Sequence, residues 1–294
     1  MIDKLRLQYP VPALCRQFNV SPSGYYRWQV VPPCTRQKEE GRLEVEITAA
    51  HNRTRGTYGA ERLQTDLASH GIEVGIHRIK RIRRKLGIKC KQKRKFKATT
   101  NSKHNLPVAP NLLEQVFEAN RPGQIWVTDI TYIATEEGWL YLAGYKDIFT
   151  GEIVGYAMSK RITKGLVIQA LFRAVSMKRP GKDLILHSDR GSQYCSRTFA
   201  RVLKQFDFKA SMSRKGNCYD NAPMESFWGT LKNELIHLRK YATRREAESE
   251  IREYIEIFYN RQRIQKRLGY FSPASFEKKF LTEKKKAERF GIHY

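Results

Sequence analysis

Between Gln124 and Glu225 the apolar pattern of this 294-residue chain changes period in a fixed order, and that order limits the folds open to it. Gln124 to Ile133 alternates β-branched and apolar residues and reads as a buried strand; Trp139 to Phe149 and Glu152 to Ser159 then pair as a hairpin around Thr150-Gly151. From Thr163 to Lys178 the spacing becomes that of a helix lying on a sheet, with Leu166, Ile168, Leu171, Phe172 and Val175 facing inward. A strand from Leu184, a helix over Ser196 to Phe206, a short strand around Phe208 to Met212 and a helix opening near Pro223 complete the series. The expectation is an α/β domain on a mixed five-stranded sheet.

Three acids occupy telling places in that series. Asp129 lies in mid-strand, Asp189 ends the run Leu184-Ile185-Leu186-His187-Ser188, and Arg190-Gly191-Ser192 turns the chain immediately after it. The carboxyl end of a strand is where open α/β sheets place ligands. Glu225 falls in the first turn of a helix that Asp220 or Asn221 can cap. Each acid taken singly reads as a surface carboxylate or a cap. Together, with 35 residues between Asp189 and Glu225, they read as a site that must converge. Converging carboxylates repel, and two Mg²⁺ ions about 3.5–4 Å apart cancel the charge, activate an attacking oxygen and stabilise a leaving one, with Mn²⁺ expected to substitute. Asp147 is a further strand acid, either a metal ligand or a cap of the hairpin. His187 shares the face of Asp189 and either touches phosphate, orients the site or is a satisfied strand histidine.

The segments Trp126-x-x-Asp129-Ile130-Thr131-Tyr132, His187-Ser188-Asp189-Arg190-Gly191-Ser192-Gln193-Tyr194 and Asp220-Asn221-Ala222-x-Met224-Glu225-Ser226-Phe227 resemble the bacterial insertion-sequence transposases of the DDE type, related to retroviral integrases. The likeness extends through Asn111-Leu112-Leu113, Phe117, Tyr259-Asn260-x-x-Arg263 and Leu268-Gly269-Tyr270-x-Ser272-Pro273, and departs at Ile264-Gln265, where relatives often carry a histidine. It implies a ribonuclease-H-like catalytic core, which the element order suggests independently, and a Mg²⁺-dependent polynucleotidyl transferase in which Asp129, Asp189 and Glu225 are catalytic and metal-binding. It also implies assembly as a homo-oligomer on DNA, and a partner protein from an upstream reading frame. A DNA-binding regulator without catalysis and a hydrolytic nuclease of the same fold are the alternatives.

Composition narrows the partner. Fifty-five Lys and Arg against 29 Asp and Glu give a formal net charge of +26 and a pI near 10.0, which calls for a polyanion, and DNA is the economical choice. No apolar run has the length of a membrane span and Met1 to Arg6 lacks a signal-peptide core, so a cytoplasmic, nucleoid-associated protein is expected. Cys15, Cys34, Cys90, Cys195 and Cys218 form no Cys-x-x-Cys pair, so free thiols are expected, with Cys15, Cys195 and Cys218 packed as small hydrophobes. Retroviral integrases carry a zinc-binding amino domain; this chain must hold DNA by other means.

Those means are sought in the amino-terminal half. Residues 1–34 read as a helical hairpin broken at Asn19-Val20 and reopened by Ser21-Pro22, either a helix-turn-helix or an aromatic-packed hairpin. Residues 35–90 read as a helix-turn-helix-like module, with helices over Lys38 to His51, from Tyr58 to Gly71, and over Gly75 to Leu86. On the last of these Arg78, Arg81, Arg84 and Lys85 are the candidate DNA contacts, against the plainer reading of a solvated basic face. Residues 91–120 read as a basic linker whose Lys93, Arg94 and Lys95 can lie on phosphates. Residues 121–280 form the expected catalytic domain and 281–294 a basic tail. Within the catalytic domain Arg214, Lys215 and Asn217 are candidates for holding the scissile strand, and Asn221 for supporting the site. A long helix is expected over Thr243 to Arg263, with a basic outward end.

Overall fold

The computed structural model describes residues 1–91, 107–214 and 217–289. The amino-terminal part is helical, with α1 (Ile2–Leu5), α2 (Val11–Gln17), α3 (Pro22–Val30), α4 (Thr35–Arg53), α5 (Ala60–Ser69) and α6 (Ile76–Lys85). Helix α3 starts where expected: the Ser21 hydroxyl accepts from the Gly24 N–H at 3.0 Å, and Pro22 fits the first turn. Ile2, Leu14, Cys15 and Tyr25 make a small core for α1 to α3. A separate core of Ile47, Ala50, Tyr58, Leu63, Leu67, Ile79 and Ile82 binds α4, α5 and α6 together. Gly71 and Gly87, both with positive φ, end the last two helices in the left-handed turn that glycine adopts without strain.

The second half holds β1 (Ile125–Thr135), β2 (Gly138–Asp147), β3 (Ile153–Ser159), α7 (Lys164–Lys178), β4 (Ile185–Ser188), α8 (Arg197–Gln205), β5 (Lys209–Met212) and α9 (Ala222–Glu234). The strands form one sheet in the order β3-β2-β1-β4-β5; β1 to β3 are antiparallel neighbours, while β4 runs parallel to both β1 and β5. This is the ribonuclease-H-like arrangement that the sequence pattern called for. Alternation along β1 sends Ile125, Val127 and Ile133 to one face, beneath α9 and α10 (Arg244–Glu253). It sends Trp126 to the other, where α7 and α8 pack. Helix α7 lies so close to β3 that a Cβ on Gly155 would stand 2.5 Å from that of Ala174.

Three expectations need correction. Residues 107–120 are not linker, because Leu113 is buried in the sheet core and Phe117 and Ala119 pack on it; Lys93, Arg94 and Lys95 fall outside the described residues. The helix predicted over Thr243 to Arg263 changes winding: α10 passes into a π-helical stretch, Tyr254–Gln262. The widened turns keep Tyr254, Ile255, Phe258 and Tyr259 buried while the Asn260 amide exchanges hydrogen bonds with the backbone of Ile153, each 3.0 Å. Of the basic residues expected at its outward end, Arg261, Lys266 and Arg267 are exposed, while Arg263 is drawn inside by Glu234 at 2.7 Å. Finally, α11 (Pro273–Arg289) crosses residue 280, so residues 281–289 continue a helix.

The helical module rests on the back of the sheet domain. Tyr58 donates its hydroxyl to the Gln262 carbonyl at 3.2 Å and accepts from the Ile264 N–H at 2.8 Å, while Ile264 packs against the α4 to α6 core. Ile264 is thus an apolar anchor between the two parts. Among the described residues no helix is long and apolar enough to cross a membrane.

Candidate active site

Asp129 stands opposite Gly144 of β2. The absent side chain there admits α9: a Cβ on Gly144 would lie 2.9 Å from the Trp228 indole. Trp228 in turn donates its Nε1–H to Asp129 Oδ2 at 3.0 Å, and the Ile130 N–H donates to Oδ1 at 2.7 Å. Two more ties hold the first turn of α9. The Asn221 amide donates to the Thr128 carbonyl at 3.1 Å, and the buried Lys146 ammonium donates to the Pro223 carbonyl at 3.0 Å. Glu225, exposed in that turn, is therefore fixed by two ties to β1 and one to β2.

Asp189 follows β4 directly. Val127 and His187 are register partners on the parallel strands β1 and β4, so Asp129 and Asp189 each lie two residues further on and come side by side. Asp189 Oδ1 accepts from the Gly191 N–H at 2.9 Å. Burial, the Asp189 charge and, less strongly, Glu225 drive the Asp129 carboxyl far above the usual carboxylate range, while the Ile130 and Trp228 donors oppose them. Partial burial raises Glu225 as well. Among the described residues no three His, Cys, Asp or Glu side chains converge on a single point. The geometry is instead a close aspartate pair with the glutamate at longer range.

Such a site fits hard divalent cations. All three donors are carboxylates, two of them so close that the Asp189 charge raises the Asp129 carboxyl, and Mg²⁺ keeps several waters and takes only one or two protein carboxylates.

The remaining candidates are placed as follows. His187 is fully buried, its ring nitrogens 2.8 Å from Ser211 Oγ and 3.2 Å from Ser213 Oγ, so it is a satisfied strand histidine that cannot reach phosphate. Burial holds its pKa down at about 4, which keeps the ring neutral. Asp147 caps the hairpin, accepting from the Thr150 N–H at 2.8 Å and the Trp126 Nε1–H at 3.0 Å. Asn221 supports the site, though not as a helix cap, since its side chain makes no capping bond. Arg214 spends its guanidinium on Asp220 at 3.0 and 3.1 Å, and Asn217 accepts from the Tyr219 N–H at 3.1 Å; Lys215 is outside the described residues. On α6, Arg78, Arg81 and Lys85 pair with Glu39, Glu40 and Glu44 of α4, which leaves Arg84 facing solvent.

Two residues of the site escaped the sequence reading. Asp220, taken there as a helix cap, is buried and accepts from Arg214, from Asn111 Nδ2 at 3.1 Å and from Gln115 Nε2 at 2.9 Å. The Arg214 guanidinium foremost holds its carboxyl well below the usual range. It pins the segment before β1 and the loop before α9 to one point. Lys232 lies two helical turns beyond Glu225; its ammonium stands 4.9 Å over the Tyr132 ring and interacts with Asp129. Its seven-residue spacing from Glu225 was the available signal.

A sheet of this topology with paired strand acids and a helix glutamate, preceded by a helix-turn-helix-like module, defines an integrase-type polynucleotidyl transferase. The integrase core domain family matches residues 119–218 and again, as a second integrase core segment, 225–281; an HTH-like domain matches 37–96. The chain is 60% identical to the insertion element IS600 uncharacterized 31 kDa protein of Shigella sonnei, over 91% of this chain and 98% of that one. It is 39% identical to the transposase InsF for insertion sequence IS3A of Escherichia coli (strain K12), over 96% and 98% respectively. The simian T-cell lymphotropic virus intasome, solved in complex with PP2A regulatory subunit B56 gamma, aligns with a TM-score of 0.47 at 18% identity, covering 73% of this chain and 70% of that one. The chain belongs to the insertion-sequence transposases with an integrase core, and its function is that of a DNA transposase.

Proposed function

We propose that this transposase uses Asp129, Asp189 and Glu225 as a two-ion magnesium centre, which manganese can also fill, for two successive phosphoryl transfers. Water first cleaves a phosphodiester at an element end and frees a 3′-OH; that hydroxyl then attacks a second phosphodiester, exchanging one P–O bond for another without a covalent protein intermediate. Bound divalent ions supply charge neutralisation and activation of the entering and leaving oxygens. The protein supplies placement. Trp228 fixes the Asp129 carboxylate, Asn221 and Lys146 hold the turn bearing Glu225, and Lys232 adds positive charge beside Asp129. The observation that carries this reading is the placing of Asp129 and Asp189 side by side at the ends of neighbouring parallel strands, close enough that the Asp189 charge helps drive the Asp129 carboxyl up.

The DNA partner is engaged by the basic helical module and the approaches to the site, with the chain acting as a homo-oligomer on element ends in the cytoplasm, alone or with an upstream-frame protein. Purified protein incubated with duplexes carrying the ends of its own element should yield new strand junctions with Mg²⁺ and none without it. Glu225→Gln should lower both steps by at least about a hundredfold while DNA affinity stays within about twofold. Cleavage that never proceeds to joining would make the chain a nuclease, and binding without either step would make it a regulator.

A further inference from the structure

We propose that Tyr132 and Trp139 form a stacking platform for an unpaired base of the DNA end beside the scissile phosphate, an assignment that rests on the metal-centre reading above. The two rings meet edge to face, 4.9 Å between centroids at 84°, yet remain 39% and 50% exposed. Their strand neighbours Ile133 and Leu140 are fully buried, so the pair is not an extension of the core. Tyr132 lies three residues beyond Asp129 on β1, roughly 10 Å along the strand and on the opposite face by alternation, but Lys232, whose charge acts on Asp129, also reaches its ring, so a nucleotide whose phosphate occupies the site can reach it too.

Two features make this more than a hairpin ornament. Lys232 bridges the platform and the acids, with its ammonium 4.9 Å from the Tyr132 ring and its charge acting on Asp129. The Trp139 backbone is also held in advance, since the Arg244 guanidinium donates to the carbonyls of Trp139, at 3.0 Å, and of Glu137. A rigid pair of aromatic faces beside a lysine, on a chain of net charge +26, suits an anionic ligand with flat apolar faces, which describes a nucleotide. Drawing a phosphate between Asp129 and Glu225 pulls its strand away from the duplex, and the base so exposed regains on these rings the stacking it loses.

The test uses the full chain and an element-end duplex with 5-iodouracil placed in turn at nucleotides flanking the scissile phosphate. Irradiation should cross-link a peptide containing Tyr132 or Trp139. The double variant Tyr132→Leu/Trp139→Leu should raise KM for the end DNA about tenfold or more with kcat at saturating DNA within about twofold, and Tyr132→Phe should behave as wild type because a ring suffices. A thermal melt checks that the double variant is folded, and Trp139→Leu alone, expected to raise KM severalfold, serves if it is not. Unchanged KM, or cross-links that map only elsewhere, would overturn the platform. Wild-type protein inactive with Mg²⁺ would instead remove the metal-centre reading, while the cross-link still reports whether a base touches these rings.

Discussion

Lys146 shows how far a single residue can depart from what its neighbours in sequence suggest. It sits in Tyr145-Lys146-Asp147, where an alternating strand could have pointed it at solvent, yet it is buried and donates to the Pro223 carbonyl. Burial, aided by Arg267 and Arg263, holds its pKa down at about 7 against the ordinary 10.5. Because the folded form binds the proton less readily than the unfolded, stability is full above the ordinary value, declines as pH falls toward 7 and levels off below it. The cost at neutral pH is on the order of 4 kcal/mol, and the lost hydrogen bond returns about 1 kcal/mol. Lys146→Met should therefore be more stable than wild type in urea denaturation at pH 7, with the difference shrinking toward pH 10; a difference independent of pH would refute the assignment. Asp129 and Glu225 were legible because an acid in an apolar run or a helix's first turn stands out. Asp220 was not, since its partners Asn111 and Gln115 lie in a segment that composition marked as linker.

Among the elements, those with a strong period were read correctly in kind, as β1 and α7 show, and the misreadings came where contacts distant in sequence decide. Nothing local in Tyr254 to Gln262 announces π winding; it follows from the need to bury four aromatic and aliphatic side chains and still bring Asn260 to β3. The contact of α7 with β3 is tight enough that Gly155→Ala must push the helix outward, since its new Cβ would lie 2.6 Å from the Ala174 backbone nitrogen. A loss of about 1–3 kcal/mol, or more if the helix cannot move, is expected in chemical denaturation. Basic residues on α6 looked equivalent in sequence, but three of them face acids of α4. Arg84→Ala should lower DNA affinity and reduce the slope of log affinity against log salt by about one, whereas Arg81→Ala should change the slope less.

At the scale of the whole molecule, the helical module and the sheet domain meet through specific groups. The Tyr58 hydroxyl is bonded to both Gln262 and Ile264, the Arg55 guanidinium lies 4.8 Å over the Phe258 ring, and Lys91 donates to the Glu234 carbonyl at the far end of the helix that carries Glu225. Tyr58→Phe should cost about 1–2 kcal/mol and speed amide exchange at Ile264, as read by hydrogen exchange, while α8, remote from the junction, keeps its protection. The most direct test of the central claim is a crystal of the full chain soaked in Mn²⁺ and measured for anomalous scattering. Two peaks are expected, one shared by Asp129 and Asp189 and one beside Glu225, and both should vanish in Asp129→Asn. Strong peaks confined to other carboxylates, with the Asp129 and Asp189 side chains turned apart, would contradict it.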